Sequence, residues 1–179
     1  MDDKNKQSAK NLASVFVIFG ATGDLSQRKL FPSLFELFKQ DLLPQNLKII
    51  AAARTKHDHQ SFINIISQNV EKKDEQKLKD FVKSIEYFTC DVSQNQNLDT
   101  LKEKIEDYEK NINTCPNRIF YMAIAPTFYQ KAVENLGKNQ LNLGCLEHKN
   151  LSRIVIEKPF GYDFVSSQAL NQISAEFFD

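Results

Sequence analysis

A chain of 179 residues has the usual size of one compact domain and can bury a core without metals or disulfides as staples. Its 23 Lys and Arg balance 23 Asp and Glu, so no net field draws in nucleic acid or an anionic membrane, and any anion site has to be local. The three cysteines, Cys90, Cys115 and Cys145, are odd in number and widely spaced, which predicts free thiols in a reducing compartment and gives no support to a zinc site.

Residues 1–14 are polar, with mixed charge and no apolar core of the kind a signal peptide carries, and they read as a mobile tail ahead of a single domain over residues 15–179. No apolar run approaches the roughly 18 residues of a membrane-crossing helix, which predicts a soluble, cytoplasmic protein. Residues 15–19 are continuously apolar and rich in β-branched and aromatic types, as a strand buried on both faces would be. The period then changes: Leu30, Leu34, Leu37 and Phe38 share one face of a helix over residues 25–39. Pro32 removes a backbone donor, so a break or bend is expected just before it.

The alternation continues with strands over residues 47–53, 85–90, 118–124 and 153–156. Between and after them lie helices over 60–82, 98–108, 127–141 and 166–178. Five βα units in a row predict an α/β fold, a doubly wound parallel sheet of Rossmann-like type, because crossovers between parallel strands need about a dozen residues. Ligands of such sheets bind beyond the carboxyl ends of the strands, so the residues just after each strand carry the functional information.

After the first strand stands Gly20-Ala21-Thr22-Gly23-Asp24-Leu25. Glycine at the strand end permits a tight turn, Gly23 lets backbone approach a ligand, and the helix that follows offers unpaired N–H groups to a phosphate. This is a variant of the three-glycine dinucleotide fingerprint and weak on its own, since an ordinary strand-to-helix turn reads the same way. After the second strand stands Arg54, where an NAD enzyme usually places a carboxylate for the ribose 2′-hydroxyl. A guanidinium can grip a 2′-phosphate in a fork and stack on adenine, which favours NADP, while the bland reading is a solvated arginine. Asp91, after the third strand, is open to two readings, the adenine edge or a cap on the next loop. After the fourth strand comes Ala125-Pro126-Thr127-Phe128-Tyr129, in which Pro126 punctuates a helix start. After the fifth comes Glu157-Lys158-Pro159-Phe160-Gly161, with a lysine placed to set one positive charge between a cofactor and a phosphorylated substrate. Pro159 restricts Lys158 to extended backbone and leaves a cis bond open.

Together these segments resemble glucose-6-phosphate dehydrogenases. The resemblance rests on the run from Val17 to Ser26, on Lys29-Leu30-Phe31-Pro32, Ala53-Arg54, Phe120-Tyr121-Met122-Ala123, Pro126-Thr127-Phe128-Tyr129 and Ile156-Glu157-Lys158-Pro159-Phe160-Gly161. It implies that Gly20, Ala21, Thr22, Gly23, Asp24, Leu25, Ser26 and Gln27 hold the pyrophosphate of NADP. Arg54 would take the 2′-phosphate, Tyr129 and Lys158 the nicotinamide half, and Lys158 also the substrate, glucose 6-phosphate. Ala125 stands where many relatives have a second proline. The resemblance further implies an oxidoreductase of carbohydrate metabolism in the pentose phosphate pathway and a homo-oligomeric complete protein, with no nucleic-acid or membrane partner and no metal.

The family's Arg-Ile-Asp-His-Tyr-Leu-Gly-Lys motif and its histidine base, carried by a C-terminal α+β domain, are not found here. The only histidines are His57, His59 and His148; His57 and His59 read as solvated loop residues. Ile173, Phe177 and Phe178 are expected to leave apolar groups uncovered in the last turn. The chain therefore reads as an NADP-binding fragment that binds cofactor weakly and has no turnover of its own. Two other readings stand beside it. A short-chain dehydrogenase or epimerase opens with a similar turn but needs a tyrosine four residues before a lysine, and none of Tyr87, Tyr108, Tyr121, Tyr129 or Tyr162 has one. A non-catalytic NADP sensor or interaction module would keep the binding site and need no base.

Overall fold

The computed structural model describes residues 12–70, 74–145 and 152–178, so His148 and residues 1–11 of the expected tail lie outside the described residues. Five parallel strands form one sheet: β1 Ser14–Phe19, β2 Leu47–Ala53, β3 Ile85–Thr89, β4 Asn117–Met122 and β5 Arg153–Ile156, in the order β3-β2-β1-β4-β5. The chain winds outward from β1 in one direction and then the other, so the strand order reverses at the β1/β4 boundary, where the crossover rules place a ligand crevice. The doubly wound reading of the sequence holds.

The helices are α1 Phe31–Lys39, α2 His59–Gln68, α3 Glu75–Val82, α4 Leu98–Ile112, α5 Tyr129–Lys138 and α6 Phe164–Phe177. Side chains of a strand alternate between faces, and the two apolar cores show that alternation directly. Val15, Val17 and Phe19 of β1 join Ile50 and Ala52 of β2 and Phe120 and Met122 of β4 under α4, α5 and α6. Ile18, with Ile49, Ala51 and Ala53 of β2, joins the other core under α1, α2 and α3. Central β1 is therefore apolar at consecutive positions because both its faces are covered. Edge strand β5 instead alternates between exposed and half-buried residues.

Arg118 is the exception in the interior. It is 3% exposed, and its guanidinium donates to both carboxylate oxygens of Glu109 on α4, at 2.7 and 2.8 Å. The bidentate geometry is what allows a charge to sit at that depth.

Several boundaries differ from the sequence expectations for identifiable reasons. The break before Pro32 takes the form of a π turn, Ser26–Leu30, closed by the Phe31 N–H donating to the Ser26 carbonyl. Proline in the first turn of α1 cannot donate and crowds the preceding carbonyls, and the wider turn relieves this. The single helix expected over residues 60–82 is two, α2 and α3. The Asp58 carboxylate caps α2 by accepting from the Ser61 N–H at 2.8 Å, and the helix ends at Asn69. The helix from residue 98 runs on to Ile112 and stops at Asn113 in the left-handed region, φ 48°. Strand β1 begins at Ser14, and the Ala13 carbonyl already accepts from Asn117 N–H at 2.9 Å.

Two further expectations are corrected. Cys115 and Cys145 form a disulfide with their Cα atoms 5.5 Å apart, which leaves Cys90 as the free thiol. The turn before β4 and the segment after α5 meet beside the sheet, a proximity that sequence spacing hides. The apolar last turn is also covered. Ile173, Phe177 and Phe178 fold back onto the core, with the Phe178 ring 6.4 Å from that of Phe120. Gly137 of α5 makes room for this: a Cβ there would lie 2.2 Å from the Phe177 ring.

Candidate dinucleotide site

Beyond the carboxyl ends of β1, β2, β3 and β4 lies a cleft of about 250 Å³ whose lining includes Gly20, Gly23, Arg54, Asp91, Ile124 and Phe128. Its floor is the turn after β1. Gly20 has a φ of +83°, and a Cβ on it would lie 2.2 Å from the Ala123 carbonyl oxygen. Only glycine therefore lets the β1 turn and the end of β4 approach this closely. The N–H groups of Gly20 and Ala21 both donate to the Ala52 carbonyl, at 2.9 and 3.1 Å, and Gly23 N–H donates back to Gly20 at 2.9 Å. The turn is thus pinned to β2 and closed on itself.

Of the eight residues from Gly20 to Gln27, three line the cleft: Gly20, Thr22 and Gly23. The others have different work. Ala21 is fully buried in the core under α1. Ser26 donates from its hydroxyl to the Gly20 carbonyl at 3.0 Å, and the Gln27 side-chain amide donates to the Thr22 carbonyl at 2.6 Å. These two side chains brace the turn from behind. Asp24 pairs with Arg28 at 2.9 Å on the surface, and Leu25 is exposed. Helical backbone begins at Asp24, so the first N–H groups of that turn have no intrahelical acceptor and are oriented for an anion.

Arg54 is exposed and, among the described residues, lies on the cleft with no carboxylate paired to it. Its guanidinium carbon sits 5.9 Å from the centre of the Phe128 ring. Asp91, left open between two roles, is a loop cap: one carboxylate oxygen accepts from Ser93 N–H at 3.0 Å, Ser93 hydroxyl at 2.6 Å and Gln94 N–H at 3.3 Å. Cys90 also lines the cleft, but burial pushes its thiol up to about 12, so it is no nucleophile at neutral pH.

Tyr129 and Lys158 lie apart from this lining. Tyr129 is 2% exposed and belongs to the core at the start of α5; burial, then the charge of Glu157, raises its hydroxyl above the ordinary tyrosine range. The Tyr121 hydroxyl at the end of β4 donates to the Glu157 carboxylate, and burial followed by that bond holds Tyr121 up at about 12. Lys158 follows Glu157 directly, exposed, with its bond to Pro159 cis. A second cluster, Tyr121, Tyr129 and Glu157, thus stands beside Lys158. Sequence reading gave no role to Phe128 or Glu157, although both sit in strand-exit segments that it singled out.

The residues present fit a dinucleotide. The backbone turn at Gly20 and Gly23 lines the cleft, the first N–H groups of the helix that follows have no intrahelical acceptor, and a cation stands at the end of β2 where a 2′-hydroxyl reader would carry a carboxylate. Among the described residues no group of His, Cys, Asp and Glu could hold a metal ion, and no helix is long and apolar enough to cross a membrane.

Comparison with known proteins agrees with this geometry. A family described as glucose-6-phosphate dehydrogenase, NAD binding domain, matches residues 17–179. A glucose-6-phosphate 1-dehydrogenase of Schizosaccharomyces pombe is 37% identical over 168 residues, covering 91% of this chain and 32% of that protein. The Treponema pallidum enzyme of the same name is 37% identical over 163 residues, 88% of this chain and 31% of that one. Among solved structures, a glucose-6-phosphate dehydrogenase in complex with its substrate glucose-6-phosphate superposes with a TM-score of 0.84 at 30% identity, over 96% of this chain and 35% of that one. Glucose-6-phosphate 1-dehydrogenase from Mycobacterium avium gives 0.74 at 27% identity, over 93% and 34%. The chain spans about a third of the length of the curated relatives it matches.

Proposed function

The chain belongs to the glucose-6-phosphate dehydrogenase family, as its dinucleotide-binding domain, and from that premise we propose that it binds NADP in preference to NAD. The observation that carries this reading is Arg54, an exposed cation without a carboxylate partner among the described residues, on the cleft at the end of β2. A carboxylate there would repel a 2′-phosphate; a guanidinium takes it in a bidentate fork. The Gly20–Gly23 turn and the N–H groups that follow it hold the pyrophosphate, with Ser26 and Gln27 keeping the turn in shape and Asp24 and Leu25 on its outer side.

In the whole protein the reaction is the oxidation of glucose 6-phosphate at C1 to a lactone. The dinucleotide, when bound, is the hydride acceptor. Lys158, exposed beside the Tyr121–Glu157 pair, offers its ammonium group to the sugar phosphate and to the nicotinamide half. Tyr129 shapes that end of the site from within the core. The base that takes the C1 hydroxyl proton comes from outside this chain: His57 and His59 sit at the start of α2, where His57 packs edge-on against Tyr87 at 5.5 Å. Taken alone, the chain binds cofactor and turns nothing over; the whole protein is read as a cytoplasmic homo-oligomer.

Calorimetric titration of the chain with NADP and with NAD tests the reading. Tighter binding of NADP, abolished in Arg54→Glu, is the expected result, together with no NADPH formed on adding glucose 6-phosphate. Equal affinity for the two cofactors sinks the role of Arg54, and detectable NADPH sinks the assignment of the base to another part of the protein.

A further inference from the structure

Strands β2 and β4 are not neighbours; β1 lies between them. Yet Arg54, which follows β2, and Phe128, in the turn Pro126–Phe128 after β4, meet with guanidinium and ring centre 5.9 Å apart. The arginine therefore reaches across the cleft mouth, over the glycine turn that ends β1. Both residues line the cleft.

Phe128 is half-buried but belongs to neither apolar core, so packing does not explain a large ring at this position. The backbone that carries the ring is nevertheless well fixed. Proline opens the short turn that carries it, and the Phe128 N–H donates to the Ala125 carbonyl at 2.9 Å. An exposed arginine with no carboxylate partner would otherwise spread over many rotamers, and a ligand would have to order it on binding. A guanidinium set against an aromatic ring uses the ring's negative face and keeps its own N–H donors, which lie in the guanidinium plane, free for a planar fork.

We propose that Phe128 is a specificity-determining residue of the cleft, whose ring holds Arg54 in place for the 2′-phosphate of NADP. This rests on the reading of Arg54 given above. Phe128 makes no bond to the phosphate; it is a positioning residue that acts through the arginine, so its removal weakens the 2′-phosphorylated cofactor alone.

The test is calorimetric titration of NADP and NAD into the unmodified chain, F128L and F128Y, with circular dichroism and melting to compare their folds. Leucine keeps an apolar side chain and removes the aromatic face; tyrosine restores it. F128L is expected to weaken NADP by roughly two- to fivefold, the range for an exposed cation–ring contact, with NAD unchanged and F128Y returned to the original affinities. An unchanged NADP affinity in F128L overturns the proposal, as does an equal loss for both cofactors. Tighter binding of both would show that the ring blocks the cleft and would overturn it too. If the unmodified chain does not prefer NADP, the reading of Arg54 fails first and the role of Phe128 falls with it; a preference for NADP that is undiminished in F128L removes Phe128 alone.

Discussion

Replacing Gly20 by alanine should damage the fold, whereas the same change at Gly23 should damage binding. At Gly20 two costs combine. The φ of +83° is a left-handed conformation that costs an L-residue about 1–2 kcal/mol. The added Cβ would also stand 2.2 Å from the Ala123 carbonyl oxygen and 2.8 Å from its carbon, roughly 1 Å inside ordinary contact, and overpacking of this kind costs about 1–3 kcal/mol. Neither neighbour can give way easily, because Ala123 N–H donates to the Phe19 carbonyl at 2.9 Å and Phe19 is in register with Met122. The sum, about 2–5 kcal/mol, lowers the melting temperature of a domain this size by roughly 5–15 °C. At Gly23 φ is not positive and the nearest atom is the Gly20 carbonyl oxygen, 3.1 Å away. Gly23→Ala should therefore cost less than about 1 kcal/mol of stability while its methyl group crowds the pyrophosphate position. Thermal melts and urea titrations of both variants, paired with NADP titration, make the comparison. If Gly20→Ala melts within about 2 °C of the original chain, or if Gly23→Ala is equally unstable, the account of the turn is wrong.

Two other outcomes follow from groups away from the turn. Glu109→Gln removes the charge that pairs with Arg118, whose side chain is 4% exposed, and should lower unfolding free energy by about 3 kcal/mol, the low end for a broken buried pair because Glu109 keeps some contact with water; a loss below about 1 kcal/mol in urea titration would mean the pair is surface-like. Tyr121 is held up at about 12, so the folded state keeps a proton that the unfolded chain releases near pH 10. Its contribution to stability is complete below that pH and is lost as the pH rises toward 12. A difference absorbance titration of the original chain against Tyr121→Phe should show a tyrosinate appearing near pH 12, and one appearing near pH 10 would contradict the burial of this hydroxyl together with its Glu157 contact.

Much of the fold was legible because covered strands and amphipathic helices impose different periods on the chain. Residues 47–53 and 153–156 come out as strands with the bounds expected. Local chemistry could be read too: Pro32 marked a break that is now a π turn, and Gly20 marked a turn that tolerates no other side chain. What escaped depends on contacts made through space. No glycine or proline stands between residues 60 and 82 to mark the end of α2 at Asn69, so one helix was expected where two form. The pairing of Cys115 with Cys145 and the cover over Phe177 need neighbours 30 and 40 residues away, and the second also needs the empty space at Gly137. The cleft shows the same division. Gly20, Gly23 and Arg54 carry their meaning in residue type and position, while Phe128 acquires one only when β1 sets the distance between the exits of β2 and β4.

The strand order has a consequence for how the chain is made. β1 is central, yet one of its two partners, β4, lies about 100 residues further along, with Ser14 opposite Asn117 and Phe19 opposite Met122. At a synthesis rate of roughly 5–20 residues per second, β1 waits about 5–20 s for that partner after it emerges. During that wait Ser14–Phe19, the sequence SVFVIF, can dock on β2 but presents a bare apolar edge on its other side, the kind of edge that recruits wrong partners. The same central placement that puts the glycine turn in the middle of the cleft thus makes β1 the strand a nascent chain must shield longest.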